Sequence, residues 1–348
     1  MKEFCYAETS KHTFVLTENS YLSLDGENVV ISKEHTEMAR FPLHTLEGIL
    51  CFTYAGASPA LMGACVQRNI DLTFFTPRGQ FLARSTGGIK GNVLLRQQQF
   101  RAADDPSISC RYAKGFLLGK VYNSRWVLER ATRDHPQRVP VNQLKLLSYQ
   151  LAESLPRIEN ACTLEELRGL EGAAAQQYFT GFPCLILQQQ DTFAFTVRSR
   201  RPPLDPINAL LSFAYTLLAR DCAAALEGTG LDPYVGFLHR PLPGRRSLAL
   251  DLMEELRPAF ADRFVLTCIN QKTILSRHCL RQESGAVMLS DEGRRIFLAA
   301  WQQRKQQTLQ HPFLSEKIPW GLVPYVQALL LARTLRGDLE RYPPFFWK

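Results

Sequence analysis

The sequence lacks the cysteine spacing of a zinc ribbon or of a disulfide framework. It has nine cysteines, but none of them forms a Cys-x-x-Cys pair, and their spacing is irregular. Zinc ribbons need paired cysteines, and disulfide-stabilised domains normally use an even number of them. We therefore expect most of these cysteines to be small buried residues of a protein in a reducing compartment.

The patterns of a signal peptide and of a membrane span are also missing. Glu3, Glu8 and Glu18 interrupt the N-terminal region, which does not show the basic-then-apolar order of a signal peptide. No run of roughly 18 consecutive apolar residues occurs in the chain. The sequence predicts a cytoplasmic protein without a membrane partner.

Lysine is scarce relative to arginine, with 11 lysines against 30 arginines in 348 residues. The formal net charge is +8, of which residues 1–85 carry −2 and the rest of the chain +10. Arginine binds phosphate through two parallel hydrogen bonds and stays charged when it is partly desolvated. The composition favours a polyanionic partner for the C-terminal part, although a basic surface that only maintains solubility gives the same numbers.

Short β-rich runs fill residues 1–85 and are separated by turn signals such as Asp25-Gly26. One segment differs, since Ser58 is a good N-cap and Pro59 suits the first position of a helix. A Gly-rich stretch at 86–92 follows. It resembles a phosphate-binding loop but lacks the Gly-Lys-Ser/Thr ending, so we interpret it as a linker.

From residue 93 onward the helical period dominates. Helices are predicted at 112–133, 141–155, 164–178, 207–226 and 290–309. The predicted fold is a small N-terminal β domain with one helix, followed by a larger helical domain.

One carboxylate lies in an unusual helical context. Glu171 is followed by Gly172, and glycine inside a helix costs about 1 kcal/mol relative to alanine. A small residue beside a carboxylate leaves room for a bulky ligand or a second backbone. Taken alone, the pattern is more typical of a solvent-facing glutamate whose glycine neighbour serves helix packing.

A second group of polar residues surrounds a predicted turn. His239 ends an apolar run and precedes a Pro/Gly turn, so we expect it at the edge of a core segment. A short amphipathic helix should begin at Ser247 and end at Pro258. Within it, Asp251 and Glu254 are three residues apart and therefore share one helix face.

Two carboxylates and a nearby histidine are the donors that phosphodiester chemistry uses. Mg²⁺ and Mn²⁺ take oxygen ligands, and Mn²⁺ also accepts an imidazole nitrogen. Such an ion polarises a phosphoryl group and lowers the pKa of a bound water or hydroxyl, while nearby arginines offset transition-state charge. A helix with a solvated acidic face and a histidine satisfied in the core explains the same residues equally well.

Three ordered motifs run through the C-terminal region. They are Arg168-Gly-Leu-Glu171-Gly-Ala-Ala-Ala with Tyr178-Phe, Gly236-Phe-Leu-His239, and Arg246-Ser-Leu-Ala-Leu-Asp251-Leu-Met-Glu254-Glu. Supporting blocks are Lys120 with Asn123 and Arg125, and Pro206-Ile-Asn208-Ala-Leu-Leu-Ser-Phe-Ala-Tyr215. Together they resemble the CRISPR-associated spacer-acquisition integrase family, the large universal subunit of the adaptation machinery.

The resemblance implies an N-terminal β-sandwich domain at 1–85, used for dimerisation and partner contact, and an all-helical catalytic domain at 93–348. It implies a homodimer, two of which flank a dimer of a small ferredoxin-like subunit in a heterohexamer on double-stranded DNA. The near-complete third motif suggests the subgroup that works beside a separate nuclease with an iron–sulfur cluster.

The resemblance also assigns site residues. The catalytic metal ligands, for Mg²⁺ or Mn²⁺, would be Glu171, His239 and Glu254. Asp251 matches a neighbouring acidic position and would act in catalysis by touching substrate or a water beside the metal. The nucleic-acid contacts would be Arg245, Arg246 and Tyr178.

The implied reaction is a transesterification, in which the 3′-hydroxyl of a short foreign DNA segment attacks a phosphodiester at a CRISPR repeat boundary. His239 would either bind the metal or carry a proton. Two alternatives remain. One is a partner-independent, structure-specific nuclease that cleaves branched DNA, and the other is a non-enzymatic scaffold whose DNA binding depends on salt but not on metal.

Overall fold

The computed structural model describes residues 6–9, 12–15, 17, 19–46, 48–68, 70–76, 81–85, 93–199 and 202–348. The chain divides into two compact units, Met1–Lys90 and Gly91–Lys348. The predicted linker at 86–92 lies outside the described residues.

Two β-sheets and one helix build the N-terminal unit. The five-stranded sheet has the order β1 (Tyr6–Thr9), β2 (His12–Val15), β6 (Gly48–Cys51), β7 (Asp71–Phe75) and β8 (Phe81–Arg84). In it, β2, β6 and β7 are parallel and the outer pairs are antiparallel. The antiparallel three-stranded sheet has the order β3 (Ser20–Asp25), β4 (Asn28–Lys33) and β5 (Thr36–Pro42). The predicted turn at Asp25-Gly26 joins β3 to β4, and Gly26 adopts a positive φ that glycine tolerates without strain.

The helix of this unit, α1 (Pro59–Gln67), starts where the sequence predicts it. The Ser58 hydroxyl accepts a hydrogen bond from the backbone N–H of Leu61, which satisfies one of the free donors of the first turn. Apolar side chains of both sheets and of α1 form one core, with Leu22 and Ile49 among its fully buried members. The predicted small β-sandwich with one helix is confirmed.

Helices make up most of the C-terminal unit. They are α2 (Val93–Asp104), α3 (Pro106–Asp134), α4 (Val141–Asn160), α5 (Leu164–Gly181), α6 (Pro206–Gly228), α7 (Ser247–Leu256), α8 (Arg263–Asn270), α9 (Asp291–Gln306) and α10 (Val323–Arg336). Two short antiparallel pairs accompany them, β9 (Cys279–Arg281) with β10 (Val287–Leu289) and β11 (Thr308–Gln310) with β12 (Lys317–Pro319). The predicted helical architecture is confirmed, and the two pairs are additions that the sequence pattern did not reveal.

The long central helix α3 begins six residues earlier than the predicted 112–133. The Asp105 carboxylate accepts hydrogen bonds from the backbone N–H groups of Ser107 and Ile108, and Pro106 occupies the first helical position. These are the usual start signals of a helix. Because α3 packs against α4, α5 and α7, it forms the axis around which the site is assembled.

The helix predicted to begin at Ser247 and end at Pro258 is observed as α7, but the helical path does not stop there. Proline ends the regular α-helical bonding of α7, but the chain continues as a π-helical turn, Arg257–Asp262, directly into α8. Proline has no N–H to donate, and a π-turn changes the pairing of the neighbouring groups without ending the helix. The segment therefore delivers two further polar side chains, Arg257 and Asp262, to the same side of the unit.

Helix α6 is long and apolar enough to span a membrane by length and composition alone. In its most apolar window, 61% of the residues are buried inside the unit. This is the behaviour of a core helix, and Asp205 caps its N-terminus by accepting from the N–H of Asn208.

Candidate active site

Three helices bring two of the predicted carboxylates to one lysine. Lys120 lies on α3, Glu171 on α5 and Glu254 on α7. The Lys120 ammonium forms ion pairs with both carboxylates, directly with Oε1 of Glu171 and at 2.7 Å with Oε2 of Glu254. The two glutamates are 83 positions apart in the sequence, so only the packing of α5 and α7 on α3 brings them together.

Glu254 lies at the centre of this cluster. Its side chain is only 3% exposed, and its Oε1 is 2.8 Å from the guanidinium of Arg257 and 3.8 Å from Nε2 of His239. Burial by itself raises the pKa of the Glu254 carboxyl, but the charges of Arg257, Lys120 and His239 outweigh burial and lower this pKa to about 2. Glu254 is therefore ionised at neutral pH despite its burial.

The orientation of His239 is fixed by Asp251. The Asp251 carboxylate is fully buried, and its Oδ1 lies 2.6 Å from Nδ1 of His239. It also accepts from the backbone N–H groups of Phe237 (2.6 Å), Leu238 (3.0 Å) and His239 (2.9 Å). A carboxylate in this position holds the proton on Nδ1, which leaves the lone pair of Nε2 directed toward the site.

This placement changes the expected role of Asp251. Four donors and complete burial leave its carboxylate no surface that touches substrate. The geometry makes Asp251 a positioning residue that acts through His239. Gly236 makes the arrangement possible, because a Cβ at this residue would lie 2.7 Å from the backbone carbon of Ser247 and 2.8 Å from Oδ2 of Asp251.

The two predicted phosphate-binding arginines lie in the turn before α7 and are half-buried. The guanidinium of Arg245 donates to the carbonyl of Arg240 and lies 3.4 Å from the hydroxyl of Ser247. Arg246 lies 3.4 Å from the hydroxyl of Tyr234 through Nε and faces that ring. Both arginines thus order the turn, and their predicted contact with phosphate stays a prediction.

The predicted nucleic-acid contact of Tyr178 stays a prediction, and the burial of the residue does not favour it. Its side chain is 3% exposed and packs among Phe179 and Phe182, so it presents no ring face to a base. Burial raises the pKa of the Tyr178 hydroxyl well above its usual value, and the charge of Asp262 raises it further. Tyr178 belongs to the core because the face of α5 on which it lies packs against other parts of the C-terminal unit.

Several residues of the cluster had no predicted role. Lys120 was part of a matching block, and Arg257 follows Glu254 by three positions, which places both on one helix face. Beside them, the Tyr215 hydroxyl donates to Asp262 at 2.6 Å, and burial raises the pKa of the Asp262 carboxyl to about 6. The Glu–Arg spacing was a usable signal, whereas Lys120 and Tyr215 reach the site only through tertiary packing.

The donor chemistry of the cluster fits a divalent cation. Two carboxylates contact the Lys120 ammonium, which lies between Glu171 and Glu254, and the imidazole Nε2 of His239 lies 3.8 Å from Oε1 of Glu254. In this side-chain arrangement, the described residues contain no group of three or more His, Cys, Asp or Glu side chains placed to hold a metal ion. Binding an ion therefore requires the lysine to withdraw from between the two carboxylates.

Comparison with protein families and curated proteins gives a consistent match. The family model described as CRISPR associated protein Cas1 matches residues 13–303. The chain is 49% identical over 339 residues to CRISPR-associated endonuclease Cas1 2 of Rhodospirillum rubrum, and 47% identical over 335 residues to CRISPR-associated endonuclease Cas1 1 of Chlorobaculum tepidum. Both alignments cover 96% of this chain and 98% of the relative.

Solved structures share the fold. A casposase bound to integration product has a TM-score of 0.82 at 22% identity, covering 97% of this chain and 93% of the other. A CAS1 protein from Thermotoga maritima has a TM-score of 0.80 at 22% identity, covering 94% and 97%.

Two further matches are a fusion protein and a chain of a larger complex. A Cas4 exonuclease/Cas1 endonuclease fusion of Geobacter sulfurreducens is 35% identical over 335 residues, covering 95% of this chain and 59% of the fusion. A chain of a Cas6-RT-Cas1–Cas2 complex has a TM-score of 0.78 at 22% identity, covering 99% of this chain and 37% of that chain.

Proposed function

The chain belongs to the family of CRISPR-associated protein Cas1, and from that premise we propose that it inserts short foreign DNA segments into a CRISPR repeat array. A role as nuclease and integrase follows from its relatives. The single observation that carries the finer proposal is that Glu171 and Glu254 meet at the Lys120 ammonium, while Nε2 of His239 lies 3.8 Å from Glu254.

We propose that Glu171, His239 and Glu254 hold one Mg²⁺ or Mn²⁺ ion. When bound, such an ion polarises the attacked phosphoryl group and lowers the pKa of the attacking hydroxyl. Arg257 supports this role because its charge keeps Glu254 ionised inside the protein. Metal ligation requires neutral imidazole, and Asp251 supports it by holding the proton on the opposite nitrogen of His239.

The proposed reaction exchanges one phosphodiester for another. The 3′-oxygen of the incoming segment forms a bond to phosphorus, and the bond to the 3′-oxygen of the repeat strand breaks in line with it. The proton of the attacking hydroxyl leaves to a water, because Nε2 of His239 would be occupied as a ligand, and the leaving 3′-oxygen takes up a proton from water. Lys120 and Arg257 lie where they offset the negative charge that develops on the phosphoryl oxygens.

The partners are proposals on the same ground. The Cas4–Cas1 fusion and the structural neighbour found in a complex with Cas2 support a small second adaptation subunit and an iron–sulfur nuclease as partners. We propose a homodimer, two of which flank a dimer of the small ferredoxin-like subunit in a heterohexamer on double-stranded DNA. The proposed location is the cytoplasm.

Strand joining tests the assignment of the site. Purified protein, its small partner, a repeat-bearing plasmid and a short duplex are incubated with Mn²⁺, and the joined product is measured. We expect Glu171→Ala, His239→Ala and Glu254→Ala to abolish joining. Glu165→Ala is the matched control, because Glu165 lies on α5 as well but is 79% exposed and, among the described residues, forms its ion pair with Arg240 at the surface.

Joining at the wild-type rate in all three site variants would refute the site. Branched DNA without a repeat sequence and without the partner is the second substrate. Faster cleavage of the branched substrate than joining of the duplex would favour the partner-independent nuclease. DNA binding without any metal-dependent change in the DNA would favour the scaffold.

A further inference from the structure

Asn123, on α3, ties the site helix α7 to a distant segment of the chain. Its side chain is fully buried. The side-chain NH₂ donates to the backbone carbonyls of Glu255 and Phe345, both at 2.7 Å, and the side-chain oxygen accepts from the backbone N–H of Trp347 at 2.9 Å. Both N–H groups and the oxygen of the amide are thus used. Because all three bonds go to backbone groups, Asn123 fixes the paths of two chain segments.

The Glu255 carboxylate holds the same distant segment. It is fully buried and accepts from the backbone N–H of Phe345 at 2.7 Å, from the side-chain amide of Gln327 at 2.9 Å and from the hydroxyl of Tyr342. The segment 342–347 is therefore bonded to α7 through Glu255 and to α3 through Asn123. The match to the family model ends at residue 303, so this segment lies beyond the matched part.

Helices α3 and α7 lie very close together at this point. A Cβ at Gly119 would lie only 2.6 Å from the Cβ of Glu255, so only glycine fits there. The next residue of α3, Lys120, reaches Oε2 of Glu254 at 2.7 Å. Asn123 is three residues further and lies on the same helix face. The position of the Glu254 backbone relative to α3 is therefore set by contacts at two consecutive residues of α7.

The backbone at Glu254 lacks a bond that an uninterrupted α-helix would give it. The α-helical partner of the Glu254 carbonyl would be the N–H of residue 258, which is a proline and has none. Helix α7 ends at Leu256, and the π-helical turn follows. At such a break the backbone depends on bonds from outside the helix, and Asn123 supplies one at the next carbonyl, that of Glu255.

We propose that Asn123 and the segment 342–347 are positioning elements of the metal site, which hold the Glu254 backbone where its carboxylate can bind an ion together with Glu171 and His239. The inference rests on the proposed function, since that function supplies the metal. Groups that orient metal ligands contribute about 10–100-fold to metal affinity. Asn123 acts through the backbone of the neighbouring residue, so we expect its effect at the lower end of this range.

Equilibrium binding of Mn²⁺ to the full-length protein tests this inference without any need for catalysis. Free Mn²⁺ is followed by electron paramagnetic resonance in a titration below the melting temperature of every variant. We expect Asn123→Ala to weaken Mn²⁺ binding about tenfold. Tyr342→Phe keeps the ring and removes one hydrogen bond to Glu255, so we expect a loss of about threefold. A merely structural defect would lower the number of ions bound per chain but not the affinity of the folded molecules.

Asn270→Ala is the matched control. Asn270 also makes three hydrogen bonds to backbone groups, donating to the carbonyl of Leu185 and accepting from the N–H groups of Leu187 and Gln188. It lies on α8, and none of these residues belongs to the cluster around Glu254. We expect its loss to lower the melting temperature about as much as Asn123→Ala does and to leave the affinity for Mn²⁺ unchanged.

Wild-type affinity for Mn²⁺ in both folded variants would overturn the inference, and if Asn123→Ala does not fold, the affinity of Tyr342→Phe decides alone. An equal loss of affinity in Asn270→Ala would also overturn it, because the effect would then follow stability. In either case the wild type still binds Mn²⁺, and the proposed function stands. A wild-type protein that binds no Mn²⁺ would overturn the proposed metal site together with this inference.

Discussion

Replacing Asp251 by asparagine removes two of the hydrogen bonds that hold His239. The carboxylate accepts from four donors, the backbone N–H groups of Phe237, Leu238 and His239 and Nδ1 of the imidazole. An amide offers one oxygen, so it can retain the pair on Oδ2 while its NH₂ faces the two donors on Oδ1. Hydrogen bonds to a charged group contribute about 1.5–3 kcal/mol each, so the variant should lose about 3–6 kcal/mol of stability.

The larger consequence is chemical. With an amide in place of Oδ1, the proton no longer has an acceptor at Nδ1 and moves to Nε2. The nitrogen that faces Glu254 at 3.8 Å then becomes a donor and cannot bind a metal. Losing the group that orients a histidine ligand weakens metal affinity by about 10–100-fold. The Mn²⁺ concentration required for half-maximal joining should rise by this factor.

Strand joining across a Mn²⁺ series and thermal unfolding without metal separate the two effects. Asp232→Asn is the control, because Asp232 lies in the same loop and its side chain accepts one backbone hydrogen bond, from Tyr234. We expect the control to retain the wild-type metal requirement. A folded Asp251→Asn protein with the wild-type Mn²⁺ requirement would refute the role of Asp251 in orienting His239.

Four other substitutions have outcomes that the structure determines. Lys120→Ala leaves the carboxylates of Glu171 and Glu254 facing each other and should destabilise the metal-free protein by about 3–5 kcal/mol. Added Mn²⁺ should partly reverse this loss. An unchanged melting temperature would contradict the ion-pair geometry. Burial raises the pKa of the Glu255 carboxyl to about 7, so its favourable contribution is present below pH 4.5 and is lost as the pH rises through 7. As the pH rises from 6 to 8, Glu255→Gln should therefore become more stable relative to the wild type. Denaturant titrations that give the same difference in free energy of unfolding between the two proteins at pH 6 and at pH 8 would exclude this. Gly236→Ala should cost about 1–3 kcal/mol and reduce joining because its Cβ meets Asp251, whereas Gly172→Ala, with no atom within 4 Å, should stabilise the protein by about 1 kcal/mol in the same melting assay.

The sequence predicted the parts of the site that depend on local spacing. Asp251 and Glu254 share a helix face because they are three residues apart, and His239 lies at the end of an apolar run that packs against that helix. A small β domain was predictable for a similar reason, since turn signals and short β-rich runs alternate there, whereas its sandwich architecture was implied by the family resemblance. The different roles of Asp251 and Glu254 were not predictable from the sequence. They depend on which of the two carboxylates accepts hydrogen bonds from the backbone N–H groups of the loop before α7.

The burial of Tyr178 illustrates a different limit. An aromatic residue seven positions after Glu171 lies on nearly the same helix face, so a contact with the substrate was a reasonable hypothesis. The π-helical turn places Asp262 and the core around it on that face, which covers the ring. A proline at 258 predicts the end of a helix, and nothing in local propensity predicts that the chain continues past it.

Lys120 lies where the packing of three helices determines the charge of the site. In the absence of a metal, two glutamates brought together from α5 and α7 would repel each other, and the lysine of α3 removes that cost. A lysine is suited to this task because its flexible stem lets the ammonium withdraw, whereas the planar guanidinium of Arg257 stays on Glu254. If a metal binds as we propose, the displaced ammonium would remain near the phosphate that the metal polarises. The same side chain would then have two roles, to offset the repulsion between Glu171 and Glu254 without metal and to offset charge on the substrate with it.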